Sequence, residues 1–179
     1  PLYSSAASDV YKRQALHILG NYSDQGNHLL FEAQRMVYAG AFFPEFKEAT
    51  GWRESGISIL NREIKKQVYP DGGQYELDPH YHLAAINIFC KALRMADVNG
   101  FRQEFPVEYV NTVKNMIEFY SNICFPDYSN PCFSDAKLGD RPAEVRNYQD
   151  WLKLFPDCDW IRYYATEGRE GSPLPNLSH

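Results

Sequence analysis

Residues 52–82 read WRESGISILNREIKKQVYPDGGQYELDPHYH, the end of one helix, a turn and the start of the next. Ile57, Leu60, Ile64 and Val68 recur every three or four residues, which places them on one face of a helix over about Arg53–Val68. Tyr69-Pro70-Asp71-Gly72-Gly73 stops that helix, because proline and paired glycines favour turns. Asp78-Pro79 then reads as an N-cap followed by proline at the first helical position, where its missing N–H costs nothing. A helix, a tight turn and a helix make a hairpin, with no strand alternation between them.

The same periodicity extends in both directions. Upstream, Leu29, Leu30, Ala33, Met36 and Val37 form an apolar stripe from about Asp24 to Ala39, with Gly40 as the expected end. Downstream, Leu83, Ile86, Phe89, Cys90 and Leu93 continue the Asp78 helix to Gly100. A further helix begins at Pro106, with Val107, Val110, Val113, Ile117 and Tyr120 as its expected stripe. Weaker helical patterns cover Ala143–Phe155 and Asp159–Ala165, after an irregular stretch over Phe125–Leu138. The connections are short to moderate, so consecutive helices are expected to be antiparallel neighbours. The expected fold is all-α, built from stacked helical hairpins.

Composition narrows the function classes. The chain has 179 residues, 44% hydrophobic and 23% charged, a globular balance. Eighteen Lys and Arg against 23 Asp and Glu leave a net charge of −5, which argues against a general nucleic-acid binder. No run approaches the roughly 18 apolar residues that a membrane helix needs. The four cysteines, Cys90, Cys124, Cys132 and Cys158, form no CxxC pair, so no structural metal site is expected. Cys124 and Cys132 are candidates for a bridge in an oxidising compartment.

The ends read differently from the middle. Residues 4–14, SSAASDVYKRQ, resemble the translated read-through of a sequencing adapter, so residues 1–14 are set aside as non-native in reasoning about the fold. Residues 15–165 are then expected to form one helical domain. The last residues, GREGSPLPNLSH from Gly168 to His179, carry no apolar periodicity, and residues 166–179 read as a linker towards a further domain.

In an up-and-down array the helices that begin near Asp24 and Asp78 run parallel, so their N-termini are expected at one end. Their first turns carry Gln25, Gly26, Asn27 and His28, then His80, Tyr81 and His82. Helix N-termini offer free N–H groups and a positive dipole end, which suit an anionic ligand. An amide, a phenol and imidazoles there are groups that can hold and deprotonate an acidic substrate.

The segments NHLLFEAQRMVYAGAFFPEF (27–46) and WRESGISILNREIKKQVYPDGGQYELDPHYH (52–82) resemble the helical domain of heparinase III-type heparan-sulfate lyases, polysaccharide lyase family 12. FPVEYVNTVKNMI, FPDY and YATEGREGSP continue the resemblance in the same order. It implies an incomplete (α/α) toroid followed in the family by a β-sandwich domain that this sequence does not contain. It also implies that Asn27, just before HLLFEAQ, is the catalytic amide and that Tyr81 is the catalytic phenol. The implied substrate is an acidic polysaccharide of the heparan sulfate type, the implied compartment the periplasm. The family's histidine base and a metal ion belong to a downstream region, so no cofactor is expected in this segment, which is expected to be inactive alone.

The chemistry accounts for those residue types. A lyase removes the proton at C5 of a 4-linked uronate and expels the sugar oxygen at C4. A donor bonded to the neighbouring carboxylate stabilises the enolate-like transition state, as an oxyanion hole does. Asn27 can supply that amide, and Tyr81, as a neutral phenol, can protonate the departing oxygen.

Each residue also has a plainer reading. Asn27 can be only a helix cap, and Tyr81 a half-buried core aromatic. His28, His82 and Arg53 are weaker substrate-binding candidates, His82 equally a structural residue. His80 and His82 point to nearly opposite sides of a helix, which disfavours a shared metal. Glu32 either orients the site or is a solvated or capping group. Trp52, Trp151 and Trp160 can stack on sugars, although core packing is the commoner fate of tryptophan. Arg53, Lys65 and Lys137 can meet anionic groups or remain surface charges.

Other function classes stay open: a lyase for another polyuronate such as alginate, a glycoside hydrolase, or a non-catalytic glycan-binding module. The hydrolase needs two carboxylates across a cleft, for which Asp24, Glu54, Glu76 and Asp78 are available.

Overall fold

Asp78 caps its helix as the sequence predicts: its Oδ1 accepts the backbone N–H groups of His80 and Tyr81 at 2.8 and 2.9 Å. The structure, a computed structural model, describes residues 2–175, and side chains from residue 9 onward. Among these residues it is all-α, with one isolated antiparallel bridge between Val68 and Gln74. The helices are α1 (Leu2–Gly20), α2 (Gly26–Phe42), α3 (Ala49–Gln67), α4 (Pro79–Asn99), α5 (Val107–Ile123), α6 (Arg141–Leu154) and α7 (Asp159–Ala165), with a short 3-10 turn at Arg102–Glu104. No helix among the described residues is long and apolar enough to cross a membrane.

Two units divide the chain. The first comprises residues 1–67 and 87–110, the second residues 68–86 and 111–179.

In the first unit α2 and α3 form an antiparallel hairpin. Gly40 and Gly56 set their close approach: a Cβ on Gly40 would run into the Ala49 carbonyl oxygen and lie 2.7 Å from Arg53 Cβ. One on Gly56 would run into the Ala33 carbonyl oxygen and lie 2.9 Å from a Val37 methyl. Gly40 therefore does not end the helix. It continues to Phe42, because the missing side chain is needed for packing rather than for a turn. Leu30, Ala33, Met36 and Val37 meet no solvent, and Leu60 and Ile64 of α3 lie in the same core. Burying each large aliphatic side chain contributes roughly 1.5–3 kcal/mol. α3 also begins earlier than expected, at Ala49, because Ala49 and Trp52 are buried together with Met36 and Ala15.

The adapter-like segment 4–14 is helical, as part of α1. Its described side chains, from Asp9 to Gln14, include no buried one, and Ala15 is the first in the core. Their contacts are superficial: Tyr11 packs 5.0 Å from the Phe43 ring, and Lys12 pairs with Glu48 at 2.8 Å.

α5 corrects the expected stripe. Tyr109, Val113, Met116, Ile117 and Tyr120 are buried, whereas Val107 is 65% exposed. The Tyr109 hydroxyl donates to the Phe89 carbonyl oxygen at 3.2 Å, so this aromatic is accommodated in the core with its polar end satisfied. α4 ends at Asn99, and Gly100 follows in the left-handed region (φ 75°).

In the second unit the irregular stretch after α5 contains no helix up to Asp140. Asn130 organises it from within: buried, it donates through Nδ2 to the Pro131 and Lys137 carbonyl oxygens at 3.1 and 3.0 Å. α6 starts two residues before the expected Ala143, with Asp140 Oδ2 accepting the Ala143 N–H. α6 and α7 pack through aromatic rings, Tyr148 of α6 lying 5.0 Å from Tyr164 of α7. In the expected linker, residues 166–175 lie beyond α7 and bury Leu174, while residues 176–179 lie outside the described residues. None of the four cysteines is in a disulfide, so Cys124 and Cys132 are not bridged, and burial pushes the Cys124 thiol up to about 12. Trp52 and Trp151 are core residues rather than sugar platforms.

Candidate functional site

Asn27 is not the cap of its helix. The N-cap is Gln25, whose side chain makes no capping bond, and Asn27 is the second residue of α2. Its side-chain Oδ1 is buried with no hydrogen-bond partner. His28 beside it is exposed.

The turn before α2 is held by Glu32. Its two carboxylate oxygens accept the Ser23 N–H at 2.7 Å and the Ser23 hydroxyl at 2.9 Å. Tyr22 joins the same turn to α3 through a 3.0 Å bond with Ser55. Burial raises the Tyr22 phenol pKa, against the opposing Ser55 bond. Glu32 thus ties the turn before α2 to the first turns of that helix.

Arg53 leaves the substrate-binding set. Its guanidinium is bound to both Glu104 oxygens at 3.0 and 2.7 Å and lies 4.8 Å over the Phe101 ring. A fork committed to one carboxylate in this way is a structural tie.

Tyr81 belongs to the second unit, in the first turn of α4, and is half-buried. The route to it begins at the turn after α3. Gly72 sits at φ 93°, with its backbone against the Asn115 carbonyl of α5, where no side chain fits. Tyr69 N–H bonds the Gly73 carbonyl at 2.8 Å to close that turn. Gln74 N–H then donates to His82 Nδ1 at 3.1 Å, and His82 Nε2 bonds the Met116 carbonyl oxygen at 2.9 Å.

His82 is therefore unavailable to a substrate: it is 2% exposed and both ring nitrogens are engaged inside the protein. Burial lowers its pKa to about 4. His82 fixes the first turn of α4 to α5, while His80, on the next face, is exposed.

The Tyr81 hydroxyl lies 3.5 Å from Asp135 Oδ2. The Asp135 charge raises its pKa, assisted by burial and by Asp78 and Glu76, so Tyr81 is a neutral phenol at neutral pH. Asp135 carries no motif and lies in the irregular stretch, so sequence reasoning passed over it. Asp78 is excluded as an acid–base carboxylate, because both oxygens accept backbone N–H groups. That removes one of the carboxylates open to a hydrolase.

Two cavities line the second unit. A small one of about 150 Å³ lies beside Gln74, Asp78, Pro79, His82 and Phe133. A larger one of about 450 Å³ is lined by Phe125, Tyr128, Arg141, Glu144 and Tyr163, and does not include Tyr81. Among the described residues no three His, Cys, Asp or Glu side chains are grouped to hold a metal ion.

Comparison with known proteins agrees with the sequence motifs. The family model described as Heparinase II/III N-terminus matches residues 7–163. A heparin-sulfate lyase of Bacteroides stercoris is 67% identical over 168 residues, covering 94% of this chain and 25% of that protein. One of Pedobacter heparinus is 48% identical over 177 residues, covering 99% of this chain and 27% of that protein. The crystal structure of heparan sulfate lyase HepC from Pedobacter heparinus superposes with a TM-score of 0.87 at 45% identity, over 98% of this chain and 28% of that one. The chain thus spans about a quarter of the length of the curated relatives it matches.

Proposed function

The chain belongs to the Heparinase II/III N-terminus family, and from that premise we propose that it is the helical segment of a lyase cleaving heparan sulfate by β-elimination. The observation that carries this reading is the 67% identity to a heparin-sulfate lyase across 94% of the chain. The substrate is then an acidic polysaccharide, and the working compartment the periplasm. The helices form part of an (α/α) toroid.

In this reading a general base removes the C5 proton of the uronate. The electron pair forms the C4–C5 double bond, and the C4–O bond breaks. Asn27 donates its amide N–H to the uronate carboxylate as negative charge builds there. Tyr81 gives its phenolic proton to the departing oxygen, which leaves as a sugar hydroxyl. The base, an imidazole by family resemblance, is not assigned to this segment. The neutral Tyr81 phenol supports its role as the proton donor.

A chimera tests the proposal. Residues 15–165 replace the matching segment of the Bacteroides stercoris lyase, and the product is followed by the ultraviolet absorbance of its unsaturated uronate end. The chimera is expected to cleave heparan sulfate, and Asn27→Ala or Tyr81→Phe to lower kcat by about 10²-fold or more at unchanged melting temperature. Full activity in both variants overturns the site. Cleavage of alginate but not heparan sulfate overturns the substrate.

A further inference from the structure

Leu77 (φ 54°) and Ser134 (φ 58°) are non-glycine residues in the left-handed region, and each immediately precedes an aspartate. Such backbone costs on the order of 1–3 kcal/mol and persists only where its surroundings over-determine it. Here the two aspartates are joined. Asp135 N–H donates to Asp78 Oδ2 at 2.9 Å, while Asp78 Oδ1 holds the N–H groups of His80 and Tyr81. Asp78 is 2% exposed, so it is an inner clamp between the irregular segment and the first turn of α4. The clamp leaves the Asp135 carboxylate exposed, with Oδ2 3.5 Å from the Tyr81 hydroxyl.

We propose that Asp135 is a positioning residue for Tyr81: its carboxylate orients the phenolic O–H as a proton donor, and Asp78 is the clamp that carries Asp135 to it. This rests on the reading of Tyr81 as the group that protonates the leaving oxygen. It places Tyr81 in the acid half of the reaction.

The separation suits that task. An O–H···O bond at full strength spans about 2.5–3.0 Å. At 3.5 Å the carboxylate aligns the hydroxyl but holds it weakly, so the leaving oxygen competes for the proton. Once the proton has gone, the Asp135 charge destabilises the phenolate, which takes a proton back from water. The base returns the C5 proton to solvent, and the cycle balances.

The test uses the full 179-residue chain with tyrosine labelled with carbon-13 at Cζ. The Tyr81 signal is identified by its loss in Tyr81→Phe, then titrated by NMR. Wild-type Tyr81 is expected to titrate above the ordinary phenol value of about 10. Asp135→Asn is expected to lower that midpoint more than Glu76→Gln does. Asp78→Asn keeps an oxygen for the cap but offers an amide N–H₂ towards Asp135 N–H, so it should lower the midpoint and speed amide exchange at residues 133–136. Asp135→Ser serves as a second variant should the Asn form fail to fold. An unchanged Tyr81 midpoint in a folded Asp135 variant, or an equal shift from Glu76→Gln, overturns the proposal. The NMR titration reads no turnover, so its result stands apart from whether the longer enzyme cleaves heparan sulfate. In the chimera, Asp135→Asn should lower kcat and shift its pH profile with KM unchanged.

Discussion

His82 Nε2 donates to the Met116 carbonyl oxygen at 2.9 Å, and this bond fixes the protonation state of the ring. The Gln74 N–H can only donate, so Nδ1 must accept it and the single ring proton sits on Nε2. A charged imidazolium would lose the Gln74 bond and bring a charge into the core.

A pH dependence follows. The pKa is about 4 in the folded chain against 6.5 for an ordinary histidine, so between those values the unfolded chain binds more protons. This contribution is fully present above pH 6.5 and is lost as pH falls towards 4, by roughly 3 kcal/mol in all. Urea midpoints measured at about pH 7.5 and about pH 5 should drop accordingly, and His82→Gln should flatten the change. Equal slopes in both proteins would remove His82 from the account.

Two glycines in α3 should respond to alanine with opposite signs. At Gly56 a Cβ meets the Ala33 carbonyl oxygen and Val37, so Gly56→Ala should cost about 1–3 kcal/mol by separating α2 from α3. At Gly51 nothing lies within 4 Å, and Gly51→Ala should stabilise by about 0.5–1 kcal/mol. Thermal melts of the two variants check both.

Glu32→Ala removes both bonds to Ser23 and should cost about 1–2 kcal/mol, because charged acceptors make the stronger hydrogen bonds. Ser23→Ala removes only the hydroxyl bond and should cost less. Faster exchange of the Ser23 amide in Glu32→Ala would locate the loss in the turn before α2. A cost no larger than that of Ser23→Ala would show that the backbone bond adds nothing.

The 179-residue chain alone should give negligible turnover of heparan sulfate, since it spans about a quarter of the lyases it matches. The ultraviolet assay for unsaturated ends measures this directly. Sustained product formation by the purified chain would place a complete catalytic set within it.

Much of this protein is local chemistry, and local chemistry is readable from sequence. The apolar stripe of α2 and the Asp78-Pro79 start of α4 depend on residues within one or two turns of each other, so periodicity and capping rules find them. The motifs around Asn27 and Tyr81 are likewise contiguous, so the chain's sequence alone carries the family resemblance. Tertiary packing decided the rest, because it depends on neighbours distant in the chain. It keeps Gly40 helical against Ala49, turns α5 to bury Tyr109 instead of Val107, and commits Arg53 to Glu104. It also encloses His82 between Gln74 and Met116, and brings Asp135 to Tyr81 through Asp78. Hydrogen bonds between residues so far apart leave no periodic trace in a sequence; only the folded chain brings the partners within reach.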